Sequence, residues 1–309
     1  MIRAENLRKT FGSVRAVDTI SFHVPAGEIY GLLGPNGAGK TTTISCISGL
    51  LRPEGGRVTI GGVDVAADPL RARETLGVVP QEIAIYETLT ARENLDYFAS
   101  LHGLAGAERR GRVDEALERV GLSADSKKAT KDFSGGMKRR CNLAIGLVSR
   151  PRALLLDEPT VGIDPQARIH ILDVVREVQH EGTAILYTTH YLEEAESLCD
   201  RIGIMDAGRI LAEGTVPELR RLVGEGTLVT LRGHFPAGAM QSALALRKDV
   251  LVVLLEDDHA MLSVTGEHRA ASEVLSSVLR ANIEVSGISM QEPSLQSVFL
   301  KLTGRELRD

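Results

Sequence analysis

Gly34-Pro35-Asn36-Gly37-Ala38-Gly39-Lys40-Thr41 lies between an apolar run, Glu28 to Leu33, and a helical stretch, Thr41 to Leu50, and this junction decides the fold. The octet fits G-x-x-x-x-G-K-[ST] in the strand–turn–helix context that the pattern requires. Glycines let backbone N–H groups converge on phosphate oxygens without Cβ obstruction, and the following helix N-terminus adds free donors and a favourable dipole. In such a turn Lys40 reaches the β- and γ-phosphates and the Thr41 hydroxyl is a magnesium ligand, with Asn36 and Thr42 as lesser phosphate contacts.

Outward from the turn, the chain alternates strand and helix signals. Before it, Ile2 to Arg8 and Thr19 to Val24 read as short strands, and after it Arg57 to Val65 and Gly77 to Pro80 do the same. A helical stretch covers about residues 88–150: Thr90 and Glu93 form a capping box, Leu95, Phe98 and Leu101 recur at helical spacing, and a second helix carries Val113, Leu117 and Val120 before stopping at Gly121. A third runs from Ser134 to just before Pro151. Ala153 to Leu156 and Thr183 to Thr188 are continuous apolar runs, as buried parallel strands should be. Between them Asp164 is placed to cap a helix with Pro165 at its first position. This alternation predicts a doubly wound α/β core. From about Glu225 the order changes to βαββαβ: Leu228 to Leu231, Ala239 to Leu246, Val250 to Leu255, Met261 to Val264, Arg269 to Leu279 and Ile283 to Ser289. That is a ferredoxin-like arrangement, and a last helix, Ser294 to Leu302, follows it. The expected domains are 1–222 and 225–309.

The run Ala153-Leu154-Leu155-Leu156 ends in Asp157 and Glu158. A buried strand finishing in adjacent acids downstream of a phosphate turn suits a metal-holding carboxylate, Asp157, and a base for the attacking water, Glu158. His190 follows the next apolar strand and emerges at the same carboxyl edge of the sheet, where α/β folds bind ligands, so it is expected to contact the γ-phosphate.

Composition narrows the alternatives. Of 309 residues, 43% are hydrophobic and 25% charged, which supports a sizeable soluble core, while aromatics at 4%, the lack of tryptophan and a net charge of −5 argue against a nucleic-acid binder. Cys46, Cys141 and Cys199 lack metal or disulfide spacing, and each is expected in a helix, in core packing, in a reducing compartment. No signal-peptide core is visible, and no stretch reaches the ~18 apolar residues of a membrane span, so the chain is not expected to be a channel itself.

Phe133-Ser134-Gly135-Gly136-Met137, upstream of Asp157, resembles the signature motif of the ABC ATPase family. Gln81 matches that family's Q-loop and Val161-Gly162-Ile163-Asp164 its D-loop, while Phe11 occupies the place of the aromatic that stacks on adenine. The resemblance covers about residues 1–220. It implies an ABC ATPase domain with an α/β core, an antiparallel β subdomain and a helical signature subdomain. ATP and Mg²⁺ are the implied cofactors: the turn from Gly34 through Pro35, Asn36, Gly37, Ala38, Gly39, Lys40 and Thr41 to Thr42 grips the phosphates. Thr41, Gln81 and Asp157 serve the metal, and Glu158, His190, Lys40 and Gln81 serve hydrolysis. Ser134, Gly135 and Gly136 are implied to hold the γ-phosphate of ATP on a second, head-to-tail subunit, in a homodimer or pseudo-dimer. Phe133 in place of Leu and Met137 in place of Gln depart from the commonest signature, and Met137 is given no ligand role.

Ser134 through Arg140 and the run from Glu158 to Pro165 are similar to ATP-binding subunits of ABC-2-type exporters, the daunorubicin-resistance and multidrug efflux group, as is the tail from Pro293 to Gly304. This likeness implies a separate transmembrane ABC-2-type permease, export as the direction of transport, and a cytoplasmic location on the inner face of the membrane. Lys138, Arg139 and Arg140 read as a solvated helix face in preference to a specific contact. The rival reading, a soluble ABC ATPase acting on ribosomes or DNA, usually carries two ATPase halves or long coiled-coil insertions; this chain has one phosphate turn, one signature and no sustained heptads. A GTPase is disfavoured by the absence of N-K-x-D, and a non-hydrolysing regulator by the presence of Glu158 and His190.

Overall fold

The computed structural model describes residues 1–305 and 307, apart from 225, 236, 237, 246, 266, 267 and 282. The expected domain start at Glu225, the expected helix end at Leu246 and the last residues of the expected second domain therefore lie outside the described residues. In chain order the elements are β1 (Ile2–Phe11), β2 (Val14–Val24), β3 (Ile29–Leu33), α1 (Lys40–Ile47), β4 (Gly55–Ile60), β5 (Val63–Asp64), α2 (Pro69–Arg73) and β6 (Leu76–Val79). Then come α3 (Ala91–Leu101), α4 (Gly106–Arg119), α5 (Gly135–Leu147), β7 (Ala153–Asp157), α6 (Pro165–His180), β8 (Ala184–Thr189), α7 (Leu192–Leu198), β9 (Arg201–Asp206) and β10 (Arg209–Gly214). The chain continues with α8 (Val216–Arg221), β11 (Thr227–His234), α9 (Ala239–Leu244), β12 (Val250–Leu255), β13 (His259–Val264), α10 (His268–Arg280), β14 (Glu284–Gln291) and α11 (Leu295–Thr303). Contacts divide it into two compact units, Met1–Ala212 and Glu213–Arg308.

The first unit is built on a six-stranded sheet in the order β10-β9-β3-β8-β7-β6. Pairing is parallel from β9 through β3, β8 and β7 to β6. Helices cover its strands, so β3, β7 and β8 are buried along their whole length, which is why they read as unbroken apolar runs. A second, antiparallel sheet has the order β2-β1-β4-β5. The run from Arg57 to Val65, expected as one strand, is a hairpin: Gly61 and Gly62 both take positive φ, 59° and 84°, as a two-residue turn demands. The inner faces of the two sheets share a core that includes Ile2, Leu7, Phe22, Tyr30, Leu32, Leu155 and Leu186.

Between β6 and β7 the chain makes the helical segment α3–α5. Thr90 and Glu93 close the expected capping box on α3, and Asp164 caps α6 by accepting from the Ala167 amide at 2.9 Å, with Pro165 at the first helical position. Leu101, expected on the apolar face of α3, is 65% exposed, and the buried stripe is Ala91, Asn94, Leu95 and Ala99 instead. The three cysteines are free and buried. Burial pushes the Cys46 and Cys141 thiols up to about 11 and about 12, and holds Cys199 protonated more firmly still. Cys199 is not in a helix as expected: it ends α7 in an extended conformation.

The second unit carries a four-stranded sheet in the order β12-β13-β11-β14, antiparallel throughout. With α9 after the first strand and α10 after the third, this is the ferredoxin-like order. Its helices bury one face, where Val229, Leu231, Leu262 and Val264 meet Met240, Val274 and Val278.

Candidate nucleotide site

Four neighbouring parallel strands, β3, β8, β7 and β6, end side by side, and each delivers one polar group just past its carboxyl end: Lys40, His190, Glu158 and Gln81. The side chains converge on Glu158. Lys40 Nζ lies 3.0 Å from Glu158 Oε1, and both side chains are 4% exposed. Gln81 Nε2 donates to Glu158 Oε2 at 3.3 Å. His190 Nδ1 stands 3.2 Å from the same oxygen, close enough for an ion pair but not aligned as a hydrogen bond. Burial alone would raise the Glu158 carboxyl, but His190 and Lys40 outweigh it and hold it below the usual glutamate range. Glu158 is therefore ionised at neutral pH, as a base must be.

The turn before Lys40 is shaped by contacts that only glycine allows. A Cβ on Gly34 would strike the Met205 carbonyl oxygen, and one on Gly39, whose φ is 106°, would strike that of Ala16. Lys40 Nζ is further held by the carbonyls of Gly34 at 2.6 Å and Pro35 at 3.0 Å. Asn36, Gly37 and Thr41 are exposed and Ala38 is buried, so the outer rim of the turn faces solvent while its base is locked to the sheet by Gly34 N–H donating to Thr189 O at 3.2 Å.

Asp157 and Glu158 are oriented by a residue that the sequence did not single out. Thr188 Oγ1 donates to Asp157 Oδ1 at 2.7 Å and accepts from the Glu158 amide at 3.0 Å. That amide belongs to a backbone at φ 44°, a left-handed conformation that a glutamate adopts only at a cost. Burial raises the Asp157 carboxyl, opposed by hydrogen bonds from Thr188 and Thr41. A hydroxyl and a carboxylate so joined form an oxygen donor pair suited to magnesium, which takes its remaining ligands from phosphates and water. Among the described residues no cluster of three or more His, Cys, Asp or Glu could form an all-protein metal site. Gln81, expected to serve both the metal and hydrolysis, donates its amide Nε2–H to Glu158. Thr188→Val should lower kcat roughly tenfold through misplacement of both carboxylates, with ATP affinity little changed; steady-state phosphate release and nucleotide titration check this.

A second buried carboxylate, Glu194 on α7, is 2% exposed. It accepts from Thr160 at 2.6 Å and from Tyr187 and Thr189 at 2.9 Å each, so it ties the chain after Glu158 to the strand before His190. Nothing local in Leu192-Glu193-Glu194 marks the middle residue as buried.

The signature turn is apart from this cluster. Ser134 caps α5 by accepting from Met137 N at 3.2 Å; it and Gly135 are exposed, and a side chain placed on Gly135 would meet nothing within 4 Å. Gly136 faces inward against Ala167 and Asp164. Phe11 ends β1 and is 49% exposed, its ring 5.3 Å from Lys9 Nζ.

The expected solvated face Lys138-Arg139-Arg140 is overturned. Arg139 is 4% exposed and donates to the carbonyls of Pro80, Gln81 and Val161. Arg140 caps α4 through the carbonyls of Val120 and Gly121, and Lys138 pairs with Glu87 at 2.5 Å. A run of basic residues reads as surface from its charge; its burial depends on carbonyls supplied by loops distant in sequence.

Comparison with known proteins agrees with this geometry. The family model for the ABC transporter matches residues 17–161. The chain is similar to the linearmycin resistance ATP-binding protein LnrL of Bacillus subtilis (strain 168), 42% identical over 100% of both chains. It is also similar to the daunorubicin/doxorubicin resistance ATP-binding protein DrrA of Streptomyces peucetius, 39% identical over 100% of this chain and 94% of that one. Among solved structures, the dimeric post-hydrolysis state of the ATP-binding cassette MJ0796 bound to ADP and Pi matches with a TM-score of 0.64 and 25% identity, over 70% of this chain and 98% of that one. The phosphate turn, the buried Lys40–Glu158–His190 cluster and the full-length likeness to these ATP-binding proteins place the chain in the ABC transporter family, as one of its ATP-binding subunits.

Proposed function

We propose that two copies of this chain, or one copy and a related chain, close head to tail over two ATP molecules and that hydrolysis drives export through a separate ABC-2-type permease. The observation that carries the reading is the division of the site. Lys40, Gln81, Glu158 and His190 gather at one point, whereas Ser134 and Gly135 present an open helix N-terminus that none of them reaches. A helix N-terminus with free amides suits a phosphate, and the phosphate it suits is one brought by a second subunit.

In this reading the turn Gly34–Thr42 holds the triphosphate and Lys40 shifts from Glu158 toward the β- and γ-phosphates. Thr41 and Asp157 hold Mg²⁺, which when bound neutralises phosphate charge. Glu158 accepts a proton from the attacking water, Gln81 and His190 fix that carboxylate and its water, and Phe11 supplies an exposed ring for adenine. Loss of the γ-phosphate removes the bridge and lets the subunits part. Among the described residues no helix is long and apolar enough to cross a membrane, so the translocation path is assigned to the partner. Resistance to linearmycin or to daunorubicin and doxorubicin, named for the relatives, supports export of a small organic molecule.

Purified chain should release phosphate from ATP only with magnesium, and a co-expressed partner should co-purify in the membrane fraction. Absence of both nucleotide binding and phosphate release, with or without the partner, contradicts the proposal. The second unit is assigned an accessory role. Truncation after Gly224 keeps β10 whole and should leave ATP affinity within about twofold of the full chain, since each unit has its own core; nucleotide titration of the shortened protein tests this.

A further inference from the structure

Arg139 is a buried cation with no carboxylate within hydrogen-bond distance among its described contacts. Its two terminal nitrogens bond three backbone carbonyls, Nη1 those of Pro80 at 3.2 Å and Gln81 at 2.7 Å and Nη2 that of Val161 at 3.4 Å, while its Nε is buried without a hydrogen-bond partner. A planar fork with several fixed donors can hold two chain segments at once, which a lysine ammonium on a flexible stem does less rigidly.

Those two segments flank Glu158. Gln81 donates its side-chain amide to Glu158 Oε2 at 3.3 Å, and Val161 N–H donates to the Glu158 carbonyl at 3.3 Å, closing the turn that follows the base. Arg139 therefore touches both the residue that holds the carboxylate of Glu158 and the turn that holds its backbone. It lies on α5, about 7.5 Å along the helix from Ser134 at 1.5 Å per residue. The far end of α5 is seated directly on β6: a Cβ on Gly77 would strike the Gly146 carbonyl, and a Cβ on Gly146 would strike Val79. Asn142, one turn beyond Arg139, adds hydrogen bonds to Pro80 O at 3.2 Å and from Ala84 N at 3.1 Å. The signature turn, α5, β6 and Gln81 are thus one packed body, and the Arg139 fork is its tie to the segment after Glu158.

We propose that Arg139 is a positioning residue that transmits occupancy of the signature turn to the hydrolytic base of its own subunit, so that closure over the second subunit's ATP sets Glu158 for water attack. The inference rests on the proposed head-to-tail dimer. When the signature turn takes up phosphate, α5 shifts as a unit, and the fork carries that shift to Gln81 and Val161 together.

The test separates closure from turnover. Arg139→Met keeps length and removes the donors. Its ATP affinity should stay within about twofold of the parent, and in a Glu158→Gln background ATP should still double its mass, while kcat falls about 10- to 100-fold, the scale of a misplaced reacting group. Arg139→Lys should recover part of kcat. Unchanged kcat overturns the proposal, as does a parallel loss of affinity, closure and turnover by one common factor, the mark of a merely structural role. If Arg139→Met fails to fold, Arg139→Lys carries the same comparison: kcat below the parent with affinity and closure intact supports the proposal, and parental kcat overturns it. A parent without magnesium-dependent turnover would instead contradict the function proposed above.

Discussion

Glu158→Gln should bind ATP about as tightly as the parent and lose most of its hydrolysis, a drop of roughly 10²- to 10⁴-fold, the usual contribution of a positioned base. The substitution keeps the size and hydrogen-bonding reach of the side chain and removes only the charge and basicity. In the parent that charge is built in at some expense. The carboxylate is almost fully buried, and it stays ionised because His190 and Lys40 together outweigh the desolvation. Its backbone is held at φ 44° by Thr188. A residue kept both strained and charged in a buried place is explained by chemistry better than by stability. Phosphate release under saturating ATP, alongside nucleotide titration, distinguishes lost chemistry from lost binding.

Lys40→Ala should act at the earlier step. The ammonium sits at the base of the glycine turn, 4% exposed and held by two carbonyls and Glu158. Removing a buried charge partner costs about 2–5 kcal/mol, which at about 1.4 kcal/mol per decade weakens ATP binding by roughly 30- to 4,000-fold. The loss has a second part. Without Lys40, Glu158 keeps His190 and the Gln81 amide against burial, so its carboxyl rises toward protonation and the base is weakened as well. Direct titration with a fluorescent nucleotide should show affinity falling far more than for Glu158→Gln; equal affinity in the two variants would mean that Lys40 does not face the phosphates.

The phosphate turn, the acid pair and His190 were legible because each combines a local pattern with a strand that ends in one place. Glycines with positive φ, an apolar run and an abrupt charge all leave marks in a window of ten residues. The βαββαβ order of the second unit is legible because short apolar runs such as Leu228 to Leu231 and Val250 to Leu255 are separated by helical stretches. The residues that the sequence hid depend on partners far along the chain. Arg139 looked like part of a solvated basic face because its ligands are carbonyls of Pro80, Gln81 and Val161, which carry no side-chain signal. Thr188 looked like one more residue of a buried strand, and Glu194 like one of three glutamates near a helix start. The run from Arg57 to Val65 reads as one strand by its apolar residues, although the paired glycines Gly61-Gly62 are a turn signal. On α3 the 3.6-residue period extends to Leu101, but burial ends at Ala99 and Leu101 faces solvent.

In the proposed head-to-tail dimer a second subunit bridges the Glu158 cluster and the open Ser134–Gly135 turn, and the mass of the Glu158→Gln protein in solution tests that proposal most directly. With ATP and magnesium the mass should double, and with ADP, or after a further Ser134→Arg change that fills the signature turn, it should return to that of one chain. A Glu158→Gln protein that binds ATP yet stays a single chain at every concentration would contradict the account.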